Sequence, residues 1–518
     1  MDSWIAGLRG RPELAHLLRG MEKESLRVNQ QGLLAETPHP VALGSALTHP
    51  HITTDFSEAQ LELITGVHSS AEACIAELET IHGFVYGNLL EDEMLWAHSM
   101  PCSLGPEVDI PLGSYGSSNV GTSKTVYRRG LGYRYGRFMQ TISGIHYNFS
   151  IPDTLWPTIA LIRGEACDGE LATRAYFDLI RNFRRHSWLL IYLFGASPSV
   201  GKSFVKDDSH GLQEFDAASL YLPKATSLRM GRLGYQSTAQ SSVHVSYNSL
   251  EEYSATMHNA LTKPYPPYEN IGLKSQDGEY QQLNTSLLQI ENEFYGTIRP
   301  KRQTRPGERP IEALHSRGVE YVEVRCLDVN PFQRVGIDIP TMRFLDVFLL
   351  ACLISKSPLD SENESEQIHK NQLAIVAHGR ETDLELYYGA SRITRTAWAS
   401  KILSQASEVA DLVDEVVDNN QASHAVELQK QKVANPELTP SARVLAGMRM
   451  KQLSFFRFAM NHSTEHKRYF DEHPALTSRF EHFEHLSRQS IDDQAAIEDS
   501  DTESFDAYLA RYLNLKVQ

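Results

Sequence analysis

The chain has 518 residues, enough for roughly two to four domains or for one large catalytic domain with a helical appendage, so burying a core is not limiting. Lys and Arg number 49 against 65 Asp and Glu, a formal charge of -16 that argues against a nucleic acid or an anionic membrane as the main partner. The five cysteines, Cys74, Cys102, Cys167, Cys326 and Cys352, are odd in number and form no CxxC pair, which indicates neither a zinc module nor a disulfide framework and makes a reducing cytoplasm the expected location.

Trp4, Ile5, Leu8, Leu14, Leu17 and Leu18 recur at helical spacing, and alternation takes over from Met21, so a helix leads into a strand. No export or membrane anchoring is expected, because the first twenty residues lack an unbroken apolar run and VFLLACLI (347–354) is too short to span a bilayer. In MEKESLRV, period two puts Glu22 and Glu24 on the face of Leu26 and Val28, toward the interior. Ionised carboxylates are costly there without cations, and oxygen ligands point to Mg²⁺ rather than Zn²⁺. Residues 69–90 make an amphipathic helix capped by Ser70, with Ile75, Leu78, Ile81, Phe84 and Val85 inward.

The stretch SYGSSNVGTSK (114–124) looks like a phosphate cradle but is no Walker A loop. Gly116 and Gly121 are correctly spaced, yet Thr122 stands where lysine is required and Lys124 comes too late. On its own it reads as a mobile surface connection, and the most suitable cover for a reaction centre.

Strand-like alternation recurs at 139–150, 241–247, 287–295 and 319–327, which fits an antiparallel sheet backed by helices better than a βαβ repeat. In MQTISGIHYNFS, Ile142, Gly144, His146 and Asn148 share one face, and the glycine permits close approach to the backbone. LQIENEFYGTIRPKR puts Glu291, Glu293, Tyr295 and Arg299 in phase; its acids read equally as contacts to a nucleotide-bound metal or as solvated surface groups. GVEYVEVRCLDVNPF aligns Tyr321, Glu323, Arg325 and Leu327, presenting an acid and an arginine that form an ion pair or bind a metal and a phosphate oxygen.

After about residue 340, MRFLDVFLLACLIS reads as a buried helix and LDSENESEQ (359–367) as a solvated acidic loop. The chain is helical from 392, with Trp398, Ile402, Val409, Leu412 and Val416 in one stripe and a further helix behind the Thr439 cap and Pro440. This last third carries no acid/base or phosphate motif, and no GxSxG or HExxH occurs anywhere.

Together MEKESLRV, GSALTHPHITTDFSEAQLELITG, the long segment from YGSSNVG to HYNFS, YLFGASPS, YLPKATSLRMGRLGY, LQIENEFYGTIRPKR and GVEYVEVRCLDVNPF resemble glutamate-cysteine ligase (γ-glutamylcysteine synthetase) of the bacterial type, in order, from about residue 15 to 345. The resemblance implies an α+β fold: a glutamine-synthetase-like antiparallel or mixed sheet backed by helices in a catalytic core (1–345), with a mainly helical C-terminal region (346–518) packed on it. It implies ATP as co-substrate, Mg²⁺ with Mn²⁺ as a substitute, and ligation of L-glutamate to L-cysteine through γ-glutamyl phosphate, the first step toward glutathione. Metal ligands would be Glu22, Glu24, Asp55, Glu62, His146 and Glu323. Tyr127, Arg128, Asn148, Arg229, Tyr235 and Tyr295 would bind substrates, and Arg325 and Arg299 would be catalytic. Glutathione is a candidate feedback inhibitor and a monomer the expected state. Left open beside this reading are a ligase using another amine, an ATP:guanidino phosphotransferase, and a sensing protein that keeps the pocket.

Overall fold

The alternation that starts at Met21 becomes a twelve-residue strand, β1 (Leu18–Asn29), at the centre of the molecule. The structure, a computed structural model, describes residues 2–205, 210–234, 239–240, 244–305, 307–473 and 480–514. Around β1 lie β2 (Ile52–Thr54), β3 (Gln60–Ile64), β4 (Glu93–Leu95), β5 (Gly144–Ser150), β6 (Ile298–Lys301) and β7 (Tyr321–Asp328). They form a seven-stranded sheet in the order β2-β3-β1-β5-β7-β6, with β4 on the far end of β1 and every neighbour antiparallel.

The back of this sheet is apolar: Met21, Ile145, Tyr147, Phe149, Val322 and Val324 are all fully buried. Helices α1 (Ala71–Asn88), α3 (Leu171–Phe194) and α4 (Ile339–Ile354) pack behind it, while α2 (Asn119–Tyr135) precedes β5 in the chain. Helix α4 is apolar nearly all round because it is enclosed nearly all round, with every residue from Phe344 to Ile354 buried. A single truncation such as Phe348→Ala would cost about 3–5 kcal/mol through lost burial and the cavity left. Arg19 reaches Asp346 at 2.9 Å, and Tyr147 Oη donates to the same carboxylate at 2.6 Å, pinning the sheet to α4.

The helices that follow α4 are α5 (Glu362–His378), α6 (Arg395–Val417), α7 (Gln421–Ala434), α8 (Pro440–Met450), α9 (Phe455–Glu472), α10 (Phe480–Ser500) and α11 (Phe505–Leu513). One apolar cluster runs from Leu8 through the sheet to Phe483, and α4 itself crosses residue 345. Ser70 and Thr439 cap their helices as expected, accepting from Ala73 N and Ala442 N.

Four expectations change. Residues 287–295 form no strand; Glu291–Glu293 is a 3-10 turn held by ion pairs to distant arginines. The acidic stretch 359–367 is largely the first turn of α5: Ser361 accepts from Glu364 N, and Glu362 and Glu364 complement the helix dipole. Of 241–247, residues 241–243 lie outside the described residues and 244–247 are not a strand. In β7 the register against β5 slips between Val324 and Leu327, so Leu327 pairs with Ile145 on the apolar face and not with Glu323 on the other.

Candidate active site

Register alone assembles a band of polar side chains across the front of the sheet. Glu24 stands opposite Glu62, Glu22 opposite His146, Asn148 opposite Glu323, and Glu323 opposite Arg299. Directly opposed residues share a face, so the band runs unbroken from β3 to β6.

At the β3 end the side chains close into a cage. His146 Nδ1 lies 3.0 Å from Glu22 Oε2, and its Nε2 lies 3.6 Å from Glu24 Oε1. Asn148 Nδ2 donates to Glu22 Oε1 at 2.9 Å, and Gly144 N donates to Glu24 Oε2 at 2.6 Å. Ligand atoms of Glu22, Glu62 and His146 lie within 4.8 Å of one another, the spacing a single ion would bridge. Asp55 follows β2, and its carbonyl accepts from Arg128 Nε and from Tyr115 Oη, which fixes the residue beside Glu24 and Glu62.

The electrostatics divide this band in two. Burial, reinforced by Glu22, Asp55 and Glu24, pushes Glu62 well above the usual carboxylate range, and burial with Asp55 raises Glu24. At the other end burial also opposes the charge of Glu323, but Lys301 at 3.1 Å, Arg325 at 2.9 Å and Arg299 at 3.9 Å outweigh it and hold the carboxyl well below its ordinary value. The cage residues fit a hard divalent cation: mostly oxygen donors, one imidazole whose Nε2 has no hydrogen-bond partner, and carboxylates that repel one another in the absence of positive charge.

All six expected ligands therefore face one site. Arg325 faces it too, with Nη1 bonded to Glu323 Oε2 and 3.5 Å from His146 Nδ1. Arg299 is 5% exposed and spends Nη2 on the carbonyls of Asn292 and Phe294. Tyr127 and Tyr295 meet near Glu293 and Arg299, both phenols raised by burial first and by Glu293. Gln140 Nε2 donates to Tyr295 Oη at 3.2 Å. Tyr235 lies outside the described residues.

Two of the arginines expected to bind substrate already have partners within the chain. Arg128 places its guanidinium 4.4 Å over the Tyr115 ring and bonds the carbonyls of Thr54, Asp55 and Lys124, so it positions Asp55. Arg229, 1% exposed, donates to Arg325 O at 3.0 Å and fills the space beside Gly144, where a Cβ would come within 2.0 Å of its Nη2. Any side chain at 144 would have to displace that guanidinium.

Residues the sequence reading passed over also matter. Lys301 neutralises Glu323, and burial against its charge is outweighed by Glu323, which raises the ammonium. Asp328, brought to the front by the slip in β7, accepts from Ala196 N, Ser197 Oγ and Ser227 Oγ and lies 3.8 Å from Arg229. The Gly-rich segment becomes α2 from Asn119, and its loop is tied to the far end of the chain: Ser117 N donates to Glu498 and Asn119 N to Asp501.

An antiparallel sheet carrying a buried carboxylate cage beside a row of cations defines a ligase of the glutamine-synthetase-like class. The comparisons agree. Residues 4–375 match the sequence profile of glutamate-cysteine ligase. The chain is 48% identical over 506 residues to the glutamate-cysteine ligase of Alcanivorax borkumensis, covering 97% of this chain and 96% of that one. It is 49% identical over 502 residues to that of Pseudomonas putida, covering 97% and 95%. The crystal structure of the Francisella tularensis glutamate-cysteine ligase in complex with AMP superposes with a TM-score of 0.90 at 38% identity, covering 96% of this chain and 97% of that one. This chain belongs to the glutamate-cysteine ligase family, and ATP-dependent γ-glutamyl ligation follows from that membership. Among the described residues no helix is long and apolar enough to cross a membrane.

Proposed function

We propose that the front of the sheet joins the γ-carboxylate of L-glutamate to the amine of L-cysteine, with Glu22, Glu24, Asp55, Glu62, His146 and Glu323 as the ligands of Mg²⁺, for which Mn²⁺ can substitute. The observation that supports this most is the cage itself, in which Glu62 is driven up by burial and by three neighbouring carboxylates and His146 Nε2 is left without a hydrogen bond. The relative bound to AMP supports ATP as the nucleotide here.

The chemistry needs positive charge. Attack of a carboxylate on the γ-phosphate brings anions together, and each pair of unit charges about 4 Å apart repels by roughly 4 kcal/mol at an effective dielectric near 20. Divalent cations held by the cage would offset that repulsion and polarise the phosphoryl oxygens. Arg325 stands at the boundary between the cage and the basic end, placed to contact the transferring phosphoryl group, and Arg299 holds the 292–294 turn beside it. Glutamate's γ-oxygen bonds phosphorus as the bond to ADP breaks. The cysteine amine, having lost a proton, then attacks the acyl carbon and phosphate leaves. Asn148, opposite Glu323, and Tyr127 and Tyr295, near Glu293, would contact the amino acids. Burial of the site shields the acyl phosphate from water.

The test mixes purified protein with ATP, Mg²⁺ and L-glutamate and measures phosphate with L-cysteine, with other amines and with none. Release that depends on cysteine, together with a γ-glutamyl dipeptide, is the expected result. Equal release with every amine, or transfer of phosphate without amide formation, would reject it.

A further inference from the structure

A cavity of about 230 Å³ opens where the end of β7, the start of α4 and helices α7 and α8 meet. None of the six cage residues lines it. Its walls include Leu327, Ile337 and Leu428, and its charged side chains are Lys432, Arg443, Asp338 and Asp328.

The charges there are unevenly satisfied. Lys432 spends one of its three protons on Leu193 O at 3.2 Å and lies 4.7 Å from the centre of the Phe194 ring. Burial pushes its ammonium down to about 8, with Asp338 pulling it up and Arg443 pushing it further down. Arg443, at the exposed mouth, stacks 4.1 Å over Phe332 and makes no side-chain hydrogen bond among the described residues. The two acids, in contrast, are fully engaged. Asp338 accepts from Thr341 N, Thr341 Oγ1 and Gln333 Nε2, so the N-terminus of α4 is capped from within the chain. Asp328 accepts three hydrogen bonds from Ala196, Ser197 and Ser227.

A second, independent feature points to a ligand. Gln429 is 2% exposed and lines the cavity; its Nε2 turns back to Ala425 O at 3.0 Å, while its Oε1 has no hydrogen-bond partner. A buried acceptor without a donor costs about 1–3 kcal/mol, which a ligand N–H would recover.

We propose that this cavity is a second small-molecule site, separate from the catalytic one, that takes an apolar α-amino acid. The carboxylate sits between Lys432 and Arg443, the amino group donates to Gln429 Oε1, and the aliphatic side chain lies against Leu327, Ile337 and Leu428. A neutral ligand would leave two cations unanswered. A dianion would be repelled by Asp338 and Asp328 in the same wall.

L-Leucine is the probe, titrated calorimetrically into the full-length protein held in saturating L-glutamate, Mg²⁺ and a non-hydrolysable ATP analogue. Expected is one saturable site, with leucinamide, which lacks the carboxylate, binding at least about tenfold more weakly. Lys432→Gln and Arg443→Gln should each weaken L-leucine by a similar factor. Because Arg443 is exposed at the mouth, Arg443→Gln is the variant that keeps its fold and its leucine-free turnover. No saturation up to about 10 mM, undiminished affinity in Arg443→Gln, or displacement of L-leucine by raised L-glutamate would overturn the proposal.

Discussion

Two groups of buried carboxylates in this molecule meet opposite fates. Glu293, 1% exposed, accepts from Arg134, Tyr135 Oη and Gln289 N, and Glu291 accepts from Arg309. Glu24 is 3% exposed and Glu62 half-buried, yet they face other acids, and their carboxyls are raised. Residue type is the same in both; what differs most is how far the protein itself supplies the compensating charge. Where it does, the acid is an anchor. Where it does not, the acid waits for a cation, and the fold carries the cost of repulsion as a requirement of function.

That contrast predicts a clean split between variants. At the edge of the cage, Glu323→Gln should lower kcat by about 10³-fold, on the scale of ~4 kcal/mol of transition-state stabilisation, and weaken the Mg²⁺ dependence. A wild-type magnesium titration for Glu323→Gln would remove it from the ligand set. Arg325→Ala should likewise abolish phosphate release in a folded protein. In the anchor, Glu293→Ala leaves Arg134 and Tyr135 without their acceptor and should cost about 3–5 kcal/mol in denaturant unfolding. Retained stability there would show that the two groups do not differ in kind.

A third buried charge sharpens the comparison from the back of the sheet. Lys23, between the two acids of β1 but facing the other way, lies 2.8 Å from the neutral His82, and burial depresses it to about 7. The unfolded chain keeps this proton up to the ordinary lysine value of 10.5, so the cost is complete below pH 7 and disappears as pH rises through that window. Lys23→Met should therefore stabilise the protein at pH 7 by on the order of 3 kcal/mol, and the gain should vanish by about pH 10.5. Urea unfolding of both proteins across this range checks it; a gain independent of pH would place the effect elsewhere. The smallest effect expected is at a helix start: Ser361→Ala should cost about 1 kcal/mol through loss of the α5 cap, read as a small shift in the urea midpoint.

Much of the site could be read from period two. Glu22 and Glu24, His146 and Asn148, and Glu323 and Arg325 fall in phase within their own segments, and the antiparallel register merely sets the segments side by side. Asp55 and Glu62 came instead from resemblance, since the short β2 and β3 give too few residues for a pattern. The misreadings share a cause. Glu291 and Glu293 alternate like a strand, but their partners Arg134 and Arg309 are remote in sequence and fold the segment into a turn. The slip in β7 falls at Arg325 and Cys326, with neither glycine nor proline to announce it. Arg128 and Arg229 have the residue type of an anion binder, and only coordinates reveal that Arg128 bonds three backbone carbonyls and that Arg229 bonds one and lies beside Asp328. The acidic run at 359–367 was polar enough for a loop, while Ser361 three residues before Glu364 was the signal of a cap.

The central claim is that the cage completes itself with a divalent cation. The most direct measurement is calorimetric titration of Mg²⁺ into the nucleotide-free protein at pH 7 in two buffers of different ionisation enthalpy. Because burial and neighbouring carboxylates raise the Glu62 carboxyl well above its ordinary range, a bound cation should lower it again and release protons: the heat should differ between buffers, the affinity should rise with pH, and both effects should disappear in Glu62→Gln. Binding heats that are the same in both buffers, or a Glu62→Gln protein that takes up Mg²⁺ like the wild type, would contradict the account.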